Sequence, residues 1–323
     1  MGVYDTVQNF VQNLVWGGID DDRRAKMIER KRDYRNGRQA QQIEVKHGAN
    51  DNITVNFVGL VVDRAVTMLF GNGVEFDMPG EGETPQDKII RGTWDANKQE
   101  ILLHKVATLG AESGTCFLKL LPDGVIGRDG KSYVRLVALD PKMCEIETLP
   151  SDIEYVVKYI IKWKDHKDGK EVRRKQEIKR GADEAGISND TWLIEDYWQK
   201  TNSNQWNLER SEIWAYDFPP VMHWQNLPSP LSPYGQADIT EDVIVLQDRL
   251  NFVASNMSKI IRYHAHPQTV VSGATAKDIA VEPGKALFLP GEGGKAYNLE
   301  MQSELASSFN FLQFLRQALF SIT

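Results

Sequence analysis

The chain has 323 residues, 41% of them apolar and 26% charged, with a formal net charge of −7. That length allows two or more domains with real cores. No apolar run approaches the roughly 18 residues that span a bilayer, and a start bearing Asp5 lacks the cationic head of a secretory signal. Two cysteines, Cys116 and Cys144, are too few for a disulfide framework, and the acidic balance argues against a tight nonspecific grip on DNA phosphates.

In chain order, Val3, Val7, Phe10 and Leu14 predict a short amphipathic helix stopped at Gly17-Gly18. The basic run from Arg23 to Arg38 is interleaved with Asp20, Asp21, Asp22, Glu29 and Asp33, which reads as a solvated helix face. Asn50-Asp51-Asn52 offers caps for a helix through Phe57, Val58, Val61, Val62, Ala65, Val66 and Leu69. Gly71-Asn72-Gly73 ends that helix, and Val74-Glu75-Phe76 reads as a short strand. Thr84-Pro85 starts another helix with Pro at its first position. Asn97-Lys98-Gln99-Glu100 resembles a capping box for a third, whose buried positions are Ile101, Leu102, the Lys105 stem, Val106 and Leu109.

The period changes at Gly114. Thr115–Leu120 reads as a strand, Pro122-Asp123-Gly124 as a turn, and Tyr133–Ala138 as the returning strand. Tyr155–Trp163, Trp192–Trp198 and Trp206–Trp214 are further strands, with Asn202-Ser203-Asn204 turning between the last two. Six of the eight tryptophans lie between Trp163 and Trp224, where they serve best as covers of antiparallel sheet faces.

A proline-rich run, Leu227–Pro233, leads into the most regular pattern of the chain. Ile239, Val243, Leu246, Leu250, Val253, Met257 and Ile260 alternate steps of four and three, which predicts one stripe on one long helix. Short apolar runs at Thr269–Val271 and Ala286–Leu289 predict a small β-type insert. Ser303-Glu304 then caps a last helix whose face carries Leu305, Phe309, Leu312, Leu315 and Leu319. The whole reads as an α+β chain with two helical pillars around a small tip.

Motifs for chemistry are scarce. No phosphate-cradling Gly-x-x-x-x-Gly-Lys-[Ser/Thr], nucleophile elbow or His-Glu-x-x-His is present. His264-Ala265-His266 is the one close histidine pair; as a strand it would present both rings on one face, yet no carboxylate or Cys stands beside it in sequence to complete a metal site. Asp238, Glu241 and Asp242 gather where the long helix begins and suit its dipole. No cofactor is expected, and a binding or structural role is favoured over catalysis.

Several stretches resemble the portal proteins of tailed bacteriophages. They are Asn56–Ala65 with Leu69–Phe76; Trp94, Asn97 and Ala111-Glu112-Ser113-Gly114 before a strand; Pro233–Ile239 before a helix containing Leu246–Asn251; and Phe314–Phe320. The resemblance implies a portal-like fold: a mixed helical and antiparallel-β wing (1–226), a linker with the first stem helix (227–265), a small α/β clip (266–300) and the second stem helix (301–323). It implies a closed self-assembled ring, usually a dodecamer, at one capsid vertex of the virion, assembled in the host cytoplasm and passing double-stranded DNA in packaging and ejection. Weak phosphate contacts from an acidic chain suit DNA that must slide. The implied partners are the large terminase subunit, the head–tail adaptor, and capsid and scaffold proteins, with no membrane. Position alone nominates Lys277, Asp278, Lys285, Glu292 and Lys295 of the clip as contacts to the terminase or adaptor. The family pattern continues into a tunnel loop, a wing helix and often a crown, so truncation after Thr323 is expected. A nuclease-like enzyme, or a virion scaffold without a channel, are the alternatives.

Overall fold

The computed structural model describes residues 19–45, 50–75, 84–167, 169–181, 191–201, 203–265, 269–272, 295–298 and 305–323. The N-terminal helix predicted through Val3 and Leu14 lies outside them, as does the Ser303-Glu304 cap. The chain forms two compact units. One joins the residues up to Asn36 with Val58–Glu241, and the other joins Gly37–Phe57 with Asp242–Thr323.

The first unit opens with α1 (Ile19–Arg35), then α2 (Phe57–Phe70), α3 (Pro85–Ala96) and α4 (Gln99–Ser113). Eight strands follow: β1 (Thr115–Ile126), β2 (Ser132–Leu139), β3 (Cys144–Leu149), β4 (Asp152–Lys167), β5 (Lys170–Arg180), β6 (Trp192–Lys200), β7 (Asn207–Trp214) and β8 (Val221–Gln225). They make two antiparallel sheets, ordered β2-β1-β8 and β3-β4-β5-β6-β7.

Strand alternation builds the layers. On β1, Cys116 joins Leu102 and Val106 of α4 and Ala138 of β2 in one apolar cluster. The next residue, Phe117, points the other way and joins Val221, Ile146, Tyr159, Ile161, Ile178, Trp192 and Ile194 in the core between the sheets. Trp192 is a core residue, and Trp163 and Trp214 pack against that core, as expected of sheet covers.

Several local expectations are corrected. Asn50–Asn52 do not cap α2: Asn52 instead clasps Gln42 and Ile43, accepting from both backbone N–H groups at 2.9 Å. Residues 74–75 are not strand; the Val74 carbonyl accepts from Gln99 at 2.6 Å. The capping box at the start of α4 is absent because Lys98 takes the N-cap place at φ 53 without a side-chain bond, while Asn97 is drawn to the β2 edge. There it accepts from Leu136 N–H at 2.7 Å and donates to Val134 O at 2.8 Å. Thr84 and Asp87 do form a true capping box for α3. β1 runs through Pro122–Gly124 with a register shift between Leu121 and Val125, and the hairpin turns later, where Gly127 N–H donates to Lys131 O. Strands β3, β5 and β8 were not anticipated.

Two of the motifs that carried the resemblance meet in space. Asp238 N–H donates to Ala111 O at 3.0 Å, Asn226 N–H to Gly114 O at 2.8 Å, and Gly235 N–H to Thr115 Oγ1 at 3.2 Å. A Cβ on Gly114, which sits at φ 84, would lie 2.2 Å from Gly235 O. The proline-rich run is therefore anchored at its base, and Tyr234, whose ring centroid lies 3.9 Å from the Arg24 guanidinium, accepts through its OH from Ile146 N–H at 2.9 Å.

Candidate functional site: the long helices and the strap

The second unit is built on α5 (Glu241–Ala265) and α6 (Leu305–Ile322), with an antiparallel pair, β9 (Thr269–Ser272) and β10 (Lys295–Asn298), between them in sequence. At 25 residues, α5 is about 38 Å long.

The predicted stripe is redistributed. Ile239 is buried but precedes the helix, because the neighbouring Asp238 is committed to Ala111. Val243 and Leu250 are buried, whereas Leu246, Val253, Met257 and Ile260 are half-buried. The deepest line of α5 is partly polar: Gln247, Asn251 and Ser255 are each 0% exposed. Their spacing of i, i+4 and i+8 puts them in one row.

That row holds the extended segment before α2, here termed the strap. Ser255 Oγ accepts from Ile53 N–H at 2.9 Å, Asn251 Oδ1 from Val55 N–H at 3.0 Å, and Gln247 Oε1 from Phe57 N–H at 3.2 Å. Gln247 also donates to Val55 O at 2.6 Å and to Asn251 at 3.0 Å, while Asn251 donates to Gln39. The periods explain the fit. Four helical residues rise about 6.0 Å and two extended residues about 6.7 Å, so every second strap amide meets a side chain one helical turn away. The helix thus serves the strap as an edge strand would, with side-chain amides replacing a backbone ladder. Arg262 grips Asp51 at one end, at 2.8 and 2.7 Å, and that hydrogen bond holds the Asp51 carboxyl below its usual range. Gln42 donates to Asp248 further along α5, at 3.2 Å.

On α6, Leu315 and Leu319 are buried and Leu305 and Leu312 half-buried. Phe309 is not part of that buried line; it is 50% exposed, as are Phe311, Phe314 and Phe320 to similar degrees. Phe311 and Phe314 stack at 6.4 Å, and Phe320 meets Phe57 edge-on at 5.5 Å. With Ala318 and Ile322 in step, α6 carries a second apolar face, and α5 exposes Val245 and Phe252, seven residues apart on one line away from its buried stripe.

Of the nominated clip contacts, Lys277, Asp278, Lys285 and Glu292 lie outside the described residues; Lys295 is exposed at the start of β10, opposite Ser272. His264 lies in the last turn of α5 rather than on a strand, and His266 is outside the described residues. Asp238 accepts from Asn226 at 2.7 Å and Glu241 pairs with Arg30. Among the described residues no group of three or more His, Cys, Asp or Glu is placed to hold a metal ion, and no helix is long and apolar enough to cross a membrane. Gln247, Asn251 and Ser255 are the site residues that sequence reasoning missed. Their four-residue spacing, set against the alternating Ile53-Thr54-Val55-Asn56-Phe57, was the signal.

A family model, Phage portal protein, SPP1 Gp6-like, matches residues 19–323. The chain belongs to that family. Portal proteins are head–tail connectors of the phage virion. Among solved structures, this portal chain is similar to one titled "Neck of native GTA particle computed with C12 symmetry", at 12% identity and a TM-score of 0.36, with 71% of this chain covered. The portal chain spans 58% of the length of that neighbour. No curated protein matches it.

Proposed function

We propose that the chain assembles with copies of itself into a closed ring, twelve-membered as in its family, at one vertex of the capsid. Double-stranded DNA passes through the ring during packaging and ejection, and the ring docks the terminase motor and the head–tail adaptor. Its role is mechanical rather than enzymatic. The observation that carries this reading is the family match over residues 19–323. In this reading residues 1–226 are the wing, α5 and α6 the stem helices, and 266–300 the clip. The second apolar face of α6, and the exposed Val245 and Phe252 of α5, support it. A helix that has buried one stripe within its own chain and still exposes another is suited to side-by-side packing around a closed cyclic interface.

The test is light scattering and electron microscopy of the full-length purified chain. A closed ring with an axial opening wide enough for a duplex is expected. A monomer at all concentrations would overturn the proposal. Incubation with DNA and divalent metal is expected to give no cleavage; cutting abolished by His264→Ala with His266→Ala would instead establish a nuclease.

A further inference from the structure

Lys119 lies on β1 two residues beyond Phe117, a member of the core between the sheets, and so shares its face. Its half-buried side chain crosses to the five-stranded sheet, where Nζ donates to Gln176 Oε1 at 2.5 Å; Gln176 donates in turn to Asp196 at 2.6 Å. A cavity of about 280 Å³ opens beside these three side chains, and Trp163, Asp165, Arg174 and Tyr197 complete its wall.

Lys119 differs from the other lysines of the sheets in its partner. Lys158, Lys162, Lys164, Lys167, Lys175 and Lys179 each pair with a carboxylate. Lys119 meets an uncharged amide instead, and among the described residues no carboxylate pairs with it directly. The ladder neighbours Val137 and Val221 carry no charge, Asp165 is taken by Arg174, and burial favours the neutral form of His223. An ammonium drawn out of water without a counter-ion in contact is disfavoured against the neutral amine. Burial accordingly lowers the Lys119 pKa from 10.5, against the opposing pull of Asp196 and Cys144. The nitrogen is thus a nucleophile with a cavity beside it. Conversion to an amide removes the charge that burial opposes and leaves one N–H, enough to keep the bond to Gln176.

We infer that Lys119 is an Nε-acylation site, taking a small acyl group from an acyl phosphate, with the cavity at Gln176 and Asp196 receiving the group. The neutral Nζ attacks the acyl carbon and a C–N bond forms. The C–O bond to phosphate breaks, phosphate leaves with the electron pair, and the nitrogen gives one proton to water. The product is an uncharged amide.

The test exposes the folded full chain to acetyl phosphate near pH 8. The chain is then unfolded, its remaining amines are blocked with deuterated acetic anhydride, and the light fraction at each lysine is read by mass spectrometry. Lys119 is expected to take acetyl at least about threefold faster than the exposed, ion-paired Lys164, because the neutral fraction of an amine grows as its pKa falls. That lead should vanish when the first step is run in urea. Gln176→Glu, which sets a carboxylate against Nζ, should slow Lys119 at least about threefold while Lys164 keeps its rate. Labelling of Lys119 no faster than that of Lys164 in the folded chain would overturn the inference. So would a lead that persists in urea, or a Lys119 rate that a folded Gln176→Glu chain leaves unchanged. The comparison of folded with urea-treated wild type needs no variant and decides the matter if Gln176→Glu does not fold.

Discussion

Asn251 shows how much can rest on one side chain. Its amide accepts from Val55 N–H and Gln247 and donates to Gln39, all within a fully buried row. Replacing it with Leu keeps the volume and strands those partners, and a buried donor left unpaired costs about 1–3 kcal/mol. Asn251→Leu is expected to lower the unfolding free energy by about 2–4 kcal/mol in urea titrations; a loss below about 0.5 kcal/mol would show that the row contributes little. Gly114 gives a steric counterpart. Both Gly114 and Gly130 have positive φ, but a Cβ on Gly130 meets nothing within 4 Å, whereas one on Gly114 meets Gly235 O at 2.2 Å. Gly130→Ala is expected to cost about 1 kcal/mol and Gly114→Ala at least about 3 kcal/mol, read from paired denaturation curves. His223 supplies a pH dependence. Burial between Phe117 and Tyr159 lowers its pKa from 6.5, and its Nδ1 lies 3.0 Å from Tyr159 OH. The unfolded chain therefore takes up a proton that the folded one refuses. Stability contributed by the neutral ring is present above about pH 6.5 and is lost as pH falls below it. The melting temperature should drop between pH 7.5 and 5.5, and His223→Phe should flatten part of that slope.

The elements that were legible in the sequence are those whose pattern has a single cause. The long helices, α3 with its Thr84-Pro85 start, and the tryptophan-bearing strands β6 and β7 follow from one apolar face or one cap. Strand β5 was illegible because Lys170–Arg180 carries only two aliphatic residues, Val172 and Ile178, and cations on both faces. It is held by β4 and β6 on either side, and its charges are matched from those neighbours. Four cation pairs stand directly opposite one another across β4 and β5: Lys158 with Lys179, Lys162 with Lys175, Lys164 with Arg173 and, beside the turn, Lys167 with Lys170. Such pairs repel, and carboxylates beside them relieve the strain: Glu147 takes Lys158, Glu145 takes Lys162, Glu171 takes Lys164, and Glu177 bridges Lys175 and Lys179. Burial works to raise the Glu177 pKa, and the two lysines overcome it, leaving the carboxyl below its usual 4.5. Its contribution is present above about pH 4.5 and is lost as pH falls through the lowered value. Glu177→Gln should cost about 1–3 kcal/mol at pH 7 and almost nothing at pH 2, by denaturation at both pH values. The hairpin after β1 was misplaced for a related reason. Pro122-Asp123-Gly124 and Arg128-Asp129-Gly130 both spell turns, and only the second closes one, with Gly130 at φ 77. The first is absorbed as a strand irregularity, which proline tolerates at an edge or bulge.

At the scale of the whole molecule, family membership was legible because the motifs at Ala111–Gly114 and Pro233–Asp238 are paired by the fold, so neither varies alone without cost. The division of labour within the second unit was not, because the stripe was scored on apolar residues and the strap row is amide and hydroxyl. The exposed faces of α5 and α6 carry the prediction that belongs here. Phe314, stacked on Phe311 and 62% exposed, is expected to bury against another copy. Phe314→Glu should shift the purified chain from ring to monomer in light scattering while leaving its circular dichroism unchanged. An intact ring carrying that substitution would remove α6 from the interface.

The strap also has a timetable. Val55 waits for Asn251, which follows it by 196 residues. At roughly 5–20 residues per second on the ribosome, that interval is about 10–40 s. The strap's amides must stay hydrated or be borrowed by other chains until α5 emerges, so the second unit can close only late in synthesis. Nascent chains halted before Ser255 should be cut within 37–57 by a protease that spares the same segment once α5 has been made.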